Sequence, residues 1–428
     1  MATWPSTQIT PPATAAPPAG GGSEKEVGWG FLAALGIAQF GIYVAILSPV
    51  YVSLQLKAQE MNPENPAVVL GIALPLGSLG AIIGNPLFGM LSDRTRTRFG
   101  RRRPWLIGGI LTLIIGLVAV AAAPTILVLT LAWLLCQLGS NAAYSSLMAS
   151  FADNVPAVRR GRAASILGLA QNVSILAGTY AAVLLVANLP LLFVLPGLVG
   201  LICVIVFVII APDRLPVQRP EPLSLRVLLG TFWTNPLVHR DFGLAWWSRF
   251  LITLATFLFT TYRLLYMQDH LGMEPAAAVG AVANGVLIYT IGLMAATAVS
   301  GWASDRLRRR KVFVAGSTLV FGAGLVLLAF AQTVTTFYLA ELVMGIAYGV
   351  YVAIDYALVV DVLPDPEHPG KDLGVFNIAS ALPQSFAPAL GALLLSVGGG
   401  GNYPVLLWGA GAVALIGVVV VLPIRTVR

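Results

Sequence analysis

Apolar residues run through this chain in blocks of about twenty, parted by short polar or basic turns. Twelve blocks can be marked: 28–55, 67–91, 104–123, 126–152, 162–187, 190–211, 241–267, 276–303, 312–331, 334–362, 372–396 and 403–424. Each is long enough to cross a bilayer as a helix. Inside lipid the backbone must satisfy its own hydrogen bonds, so the pattern predicts helices throughout. The longest interruption, 212–240, is proline-rich and divides the blocks six and six. Its "LSLRVLLGTF" stretch suits a helix lying on the membrane face. The expectation is an all-α membrane protein of twelve transmembrane helices in two six-helix halves. Residues 1–26 form a polar, Pro/Gly/Ala-rich cytoplasmic tail expected to be disordered, 27–211 the first bundle, 212–240 a cytoplasmic linker and 241–428 the second bundle.

Composition agrees: 57% of the 428 residues are hydrophobic and only 10% are charged. The formal charge of +7 could suggest nucleic acid, but its placement says otherwise. With both termini inside, all of the 25 Lys and Arg residues except Lys57, Arg249 and Arg263 fall on the inner side. That bias orients the chain in a cell inner membrane with cytoplasmic termini, and it leaves no exposed basic domain for nucleic acid. Cys136 and Cys203 lie within apolar blocks and read as packing residues. His239, His270 and His368 are scattered without metal-ligand spacing, so no metal or other cofactor is expected. No glycine-rich stretch is followed by GK[ST], and no nucleotide-binding domain is visible, so ATP is not an expected partner. A small-molecule substrate and the lipid bilayer are, and the chain is expected to be a monomer.

The turn "GMLSDRTRTRFGRRRPW" (89–105) concentrates six arginines and one aspartate, and "GWASDRLRRRK" (301–311) repeats its start. Gly89, Ser92, Asp93 and Arg94 correspond to Gly301, Ser304, Asp305 and Arg306, an offset of 212. "ASFADNVP" and "ALVVDVLP" give a second pair, with Asp153 matching Asp361 at an offset of 208. Two matched pairs in the same order point to a duplicated half, and such halves can rock about a central site. Physically, Gly89 would let the second helix approach a neighbour closely. Asp93 can accept backbone N–H bonds or pair with an arginine. Asp153, followed by Arg159, Arg160 and Arg162, is expected to join the same inner network.

On these residues the chain resembles the major facilitator superfamily over nearly its whole length. The stretch "SDRTRTRFGRRRPW" is similar to that of plant sucrose–proton symporters and their glycoside–cation relatives. The resemblance implies a glycoside-like substrate with protons as the coupling ion. It also implies an inner gate in which Asp93, and its counterpart Asp305, latch the halves together. The chain departs from the sucrose symporters where they carry a membrane-embedded carboxylate, here Gln137, and a fourth-helix arginine, here near Met148; Asn141 agrees with their pattern.

Charge inside a span is costly, ~2.5–3.5 kcal/mol at the centre, so the few such residues are functional candidates. Arg249 lies eight residues into the seventh block, about 12 Å from its inner end, and Asp355 about 9 Å from the same side in the tenth. The matching depths predict a facing pair, which reads either as a proton-coupling device or as a permanent salt bridge. A buried carboxylate's hold on a proton depends on whether its cation is beside it, so a movement that parts the two would load the proton and closure would release it. Glu341 is expected nearer outer water, and Arg263 and Asp269 are expected to reach for the interface.

Neutral polar groups on cavity-facing blocks complete the picture. Gln39, Tyr43, Gln137, Asn141, Tyr144, Asn172, Asn284, Tyr351, Asn377 and Gln384 are candidate substrate contacts, because amides both donate and accept and so suit hydroxyl-rich ligands. Helix–helix bonding is the competing role for each of them. Trp246 and Trp247 are candidate stacking surfaces. The function expected is transport of a neutral glycoside-like solute by proton symport with alternating access. A proton-driven exporter of amphipathic molecules or drugs is the alternative. A non-transporting membrane sensor would not need matched gate turns in both halves, and no nucleophile–base constellation points to an enzyme.

Overall fold

The structure, a computed structural model, describes residues 28–156, 159–213, 238–307, 309–364 and 369–425. The expected tail 1–26, the linker interior with its "LSLRVLLGTF" stretch, and His368 lie outside the described residues. Among the described residues, twelve helices are long and apolar enough to cross a membrane. They are α1 (Trp29–Ser48), α2 (Pro66–Arg94), α3 (Arg103–Ala121), α4 (Ile126–Asn154), α5 (Arg160–Leu185), α6 (Leu189–Ile210), α7 (Arg240–Thr260), α8 (Pro275–Leu307), α9 (Arg310–Ala329), α10 (Val334–Asp361), α11 (Pro369–Ser396) and α12 (Tyr403–Val421). We call the face that carries the arginine turns the inner face.

Local chemistry explains the ends. The helices α4, α6, α10 and α12 start at the outer face and are capped by Thr125, Asn188, Thr333 and Asn402, whose side chains accept the N–H of Val128, Leu191, Thr336 and Val405. Among the described residues, two helices pass into π-turns near the outer face. Helix α1 passes through a π-turn at Pro49–Ser53 and continues as Leu54–Met61, while α7 stops at Thr260 and resumes as Arg263–Leu265 and a π-turn, Tyr266–His270.

Close backbone approach holds each bundle together, as lipid offers no hydrophobic drive between helices. On α4, a Cβ at Gly139 would lie 2.5 Å from Leu113 N of α3. The two halves meet through α2 against α11 and α5 against α8. Those meetings are tight at the outer face. A Cβ on Gly71 would lie 2.6 Å from that of Ala392. Tyr180 donates its hydroxyl to Asn284 Oδ1 at 3.0 Å. Gln55 Oε1 accepts the N–H of Leu264 (3.0 Å) and Leu265 (3.4 Å), two donors exposed by the break in α7, and Gln59 bonds to Gln268. At the inner face the Arg101–Asp153, Arg102–Asp93, Arg102–Asp153 and Arg310–Asp361 pairs each stay within one half, and a Cβ at Gly89 or Gly301 would meet nothing within 4 Å. The fold is therefore closed outside. The close approach expected at Gly89 is not made among the described residues: a Cβ there would have open space around it.

Candidate functional site

Between the halves lies a cavity of about 230 Å³. Three helices of the first half and two of the second line it at helical spacing: Ser78, Ala81 and Asn85 on α2; Trp133, Gln137, Ser140, Asn141 and Tyr144 on α4; Ile42, Tyr43 and Ile46 on α1; Phe257 on α7 with Thr261 just beyond its end; Ala381, Gln384, Ser385 and Pro388 on α11. Among the described lining residues none is charged. Tyr43 and Tyr144 meet edge to face at 5.7 Å. Asn141 Nδ2 donates to Gln137 O (2.9 Å) and Gln384 Nε2 to Ser380 O (3.1 Å), so one of each amide's two N–H donors is engaged on its own helix, and the other and the amide oxygen are left for a ligand.

Five of the ten candidate contacts line this cavity: Tyr43, Gln137, Asn141, Tyr144 and Gln384. The other five stand elsewhere. Gln39 is buried one turn inward of Tyr43. Asn172 donates to Gly168 O within α5, Asn284 takes the Tyr180 hydroxyl at the junction of the halves, and Tyr351 donates to Asp355 Oδ1 at 2.7 Å. Asn377 is exposed two turns inward of Gln384. Trp246 is not a stacking surface for this cavity either: its indole donates to Val375 O and its ring stacks on Phe250. Asn85, Ser140 and Ser385 were missed. Asn85 sits beside Pro86 in a helix whose cavity face becomes visible only once α2 is seen to border α11.

Inward of the cavity, Arg249 Nη2 and Asp355 Oδ2 form an ion pair at 2.5 Å. The Asp355 side chain is 2% exposed and that of Arg249 17%. The Arg249 guanidinium also lies 4.2 Å over the Phe376 ring of α11, so one side chain ties α7 to both α10 and α11. Arg249 is eight residues inward of the lining residue Phe257, about 12 Å along the helix. The pair thus sits between the cavity and the inner face.

A second buried pair joins the same two helical lines farther out. Arg263 Nε lies 3.0 Å from Glu341 Oε1, and its Nη2 donates to Oε2 at 3.3 Å. Arg263 is 3% exposed and Glu341 fully buried. This corrects the expectation that Arg263 reaches for the interface and Glu341 for outer water: the break after Thr260 turns Arg263 inward onto α10. Asp269 likewise accepts from the Tyr403 hydroxyl at 2.6 Å.

At the inner face Arg102 is the hub. Its guanidinium reaches Asp93 (2.5 Å), Ser92 (2.6 Å) and Asp153 (3.1 Å), and Arg101 pairs with Asp153 at 2.6 Å. Asp153 is therefore held by the arginines of the preceding turn. Arg162 instead lies 5.3 Å over the Trp29 ring. Arg310 pairs with Asp361 at 2.5 Å. Both partners of that pair are displaced by 208 residues from Arg102 and Asp153 (102 to 310, 153 to 361), so the duplication extends to an ion pair. Arg94 ends α2, and Arg306 and the Asp305 backbone lie in the last turn of α8, which ends at Leu307; the Asp305 side chain lies outside the described residues.

Asp213, just past α6, completes the first turn. Its Oδ2 accepts the N–H of Arg102 (2.8 Å) and Arg103 (3.0 Å), a carboxylate cap on α3 from about 110 residues away. Gly100 makes room for it: its φ is +105°, and a Cβ there would collide with the Asp213 carboxylate. Gly100→Ala is expected to cost at least ~1–2 kcal/mol from backbone conformation alone, plus displacement of the cap. A lowered thermal midpoint of the detergent-purified protein is the check.

A family model described as the Major Facilitator Superfamily matches residues 29–288 and 275–428. The chain belongs to the Major Facilitator Superfamily. That is a superfamily of membrane transporters, not of enzymes. Relatives of this transporter match over short stretches only. An uncharacterised symporter of Synechocystis is 48% identical over 46 residues, 11% of this chain and 8% of that protein. The uncharacterised transporter YfiU of Bacillus subtilis is 30% identical over 26% of the chain and 21% of its own length. Multidrug resistance protein 3 of Bacillus subtilis is 30% identical over 25% and 20% respectively. Among solved structures, a variant of the nucleoside transporter NupG superposes with a TM-score of 0.75, covering 92% of this chain and 99% of that one at 12% identity, a likeness of fold alone.

Proposed function

We propose that this transporter moves a neutral, hydroxyl-rich, glycoside-like solute across a cell inner membrane by proton symport, with both termini cytoplasmic. One observation carries the reading: an uncharged cavity of amides, hydroxyls and tyrosines is shared by both halves, with a buried acid–arginine pair on its inner side. At ~30 Å³ per water, the cavity holds about eight waters, room for a solute of one ring. Amide oxygens would accept its hydroxyls, and the Tyr43–Tyr144 corner would face its apolar side.

In the mechanism, the outer contacts open while the inner ends close, and the central cavity changes sides. Asp355 takes a proton when movement of α7, α10 or α11 draws Arg249 away, and loses it when the pair re-forms. The Arg102–Asp93–Asp153 and Arg310–Asp361 clusters hold each inner turn rigid, so that the halves move as bodies. The Arg263–Glu341 pair ties the outer end of α7 to α10 within the second half.

The test is uptake into proteoliposomes under an imposed pH gradient, screened with labelled monosaccharides and single-ring glycosides. Uptake driven by inward proton flow supports symport. Gln137→Leu is expected to raise KM about tenfold, the loss of ~1.4 kcal/mol of hydrogen bonding, with thermal stability unchanged. The second reading is proton-driven export of amphipathic molecules. It is favoured by the 30% identity to a multidrug resistance protein over a quarter of the chain, and extrusion of labelled drugs in the same vesicles would select it.

A further inference from the structure

Helix α3 opens with Pro104 and Trp105 and then carries two adjacent glycines. Gly109 packs against the α4 backbone, whereas a Cβ at Gly108 would meet nothing within 4 Å. Both α2 and α3 pack on α4 but hardly on each other. The gap between them is a groove of about 470 Å³, separate from the central cavity. Leu135, Leu138 and Ala142 of α4 form its floor, and Phe88, Trp105 and Thr112 its walls. The polar atoms of those walls are already satisfied: Trp105 Nε1 donates to Thr95 Oγ1 (2.7 Å) and Thr112 Oγ1 to Gly108 O (2.8 Å). What remains is an apolar channel in the inner half of the membrane, narrowed at its inner end by the Phe88–Trp105 ring contact at 5.5 Å.

The mouth of this channel is the arginine turn. Thr95 lines the groove and leads into the tight Thr97–Gly100 bridge. At the tip Phe99 is 63% exposed, and the Arg98 guanidinium rests 5.0 Å over its ring. An exposed aromatic beside an exposed arginine suits the headgroup layer, where aromatic rings settle and basic side chains meet anionic lipid. Arg101 and Arg102 are committed to Asp153 and Asp93, and Arg103 donates to Ala211 O. Around the mouth the six arginines of the turn face three carboxylates, Asp93, Asp153 and Asp213, so the charge there stays positive.

We propose that an anionic phospholipid of the inner leaflet occupies this groove, one acyl chain lying along α4 between α2 and α3 and its phosphate paired with Arg98. The lipid then braces the arginine turn from outside the bundle, as Asp213 does from within. This site is independent of the solute and of the coupling ion.

The test uses the full chain, purified after reconstitution with equal amounts of phosphatidylglycerol and phosphatidylcholine, with retained lipid counted by native mass spectrometry. Wild type is expected to keep phosphatidylglycerol in preference to phosphatidylcholine. Arg98→Gln is expected to reduce that preference about fivefold, the equivalent of ~1 kcal/mol per basic side chain near an anionic surface. Gly108→Phe fills the groove without meeting a neighbouring atom at its Cβ, and should reduce total retained lipid. Gly108→Leu serves the same purpose if the larger side chain impairs folding, judged by the thermal midpoint in phosphatidylcholine alone. Equal retention of the two lipids by wild type would overturn the proposal. So would an unchanged lipid count in a folded Gly108 variant, or an unchanged preference in Arg98→Gln.

Discussion

Asp355→Asn is expected to abolish uphill uptake while leaving exchange of solute across the membrane. A gradient of one pH unit is worth about 1.4 kcal/mol per proton, hence about tenfold accumulation in one-to-one symport. The variant should bring inside and outside to equal concentration, and labelled solute should still enter vesicles preloaded with unlabelled solute. Removing one partner of a buried ion pair also costs ~3–5 kcal/mol, because Arg249 is left uncompensated. The double variant Arg249→Gln with Asp355→Asn separates the two effects. It removes both charges and keeps groups able to bond across the 2.5 Å contact. If the pair only braces α7 against α10, the double variant regains concentrative uptake. If Asp355 carries the proton, the double variant regains stability and still fails to accumulate solute.

The second large effect is expected at Gly71→Leu. A Cβ there would lie 2.6 Å from Ala392 Cβ and 3.4 Å from Pro388 O, so a leucine acts as a wedge in the α2–α11 contact that closes the outer face. Overpacking costs ~1–3 kcal/mol, enough to shift a two-state equilibrium about 5- to 150-fold. The reporter is Ser385→Cys, on the cavity wall. An impermeant maleimide added from outside should label it at least ~5-fold faster in the Gly71→Leu background. Equal labelling rates would mean that this contact does not hold the outer side closed.

The twelve spans were legible because a helix in lipid needs an uninterrupted apolar run, and the runs end where Pro, Asn or arginine clusters stand. The Arg249–Asp355 contact was legible for a related reason. A charge in such a run is conspicuous, and its distance from the helix end follows from 1.5 Å per residue. Arg263 was misplaced because no run length reveals the stop after Thr260 and the turn that buries its side chain. The central cavity was half legible. Gln137, Asn141 and Tyr144 share a face by spacing, whereas Asn284 and Asn172 satisfy the same polarity rule and spend it elsewhere, Asn284 on Tyr180 of α5 and Asn172 on its own helix. The inner hub shows a different limit. Six arginines in one turn look equivalent in sequence, and only the fold, with Asp213 from more than 100 residues away capping the N–H of Arg102 and Arg103, shows Arg102 as the one whose side chain reaches Ser92, Asp93 and Asp153.

Proton movement itself is the most direct measure of the account. Proteoliposomes enclosing a pH-sensitive dye, with no imposed gradient, should acidify inside when the labelled solute identified by uptake is added outside. Wild type is expected to acidify in proportion to solute entry, and Asp355→Asn to admit solute by exchange with no change in lumenal pH. Solute entry into wild-type vesicles at constant lumenal pH, or equal acidification by the variant, would contradict the claim that Asp355 carries the coupled proton.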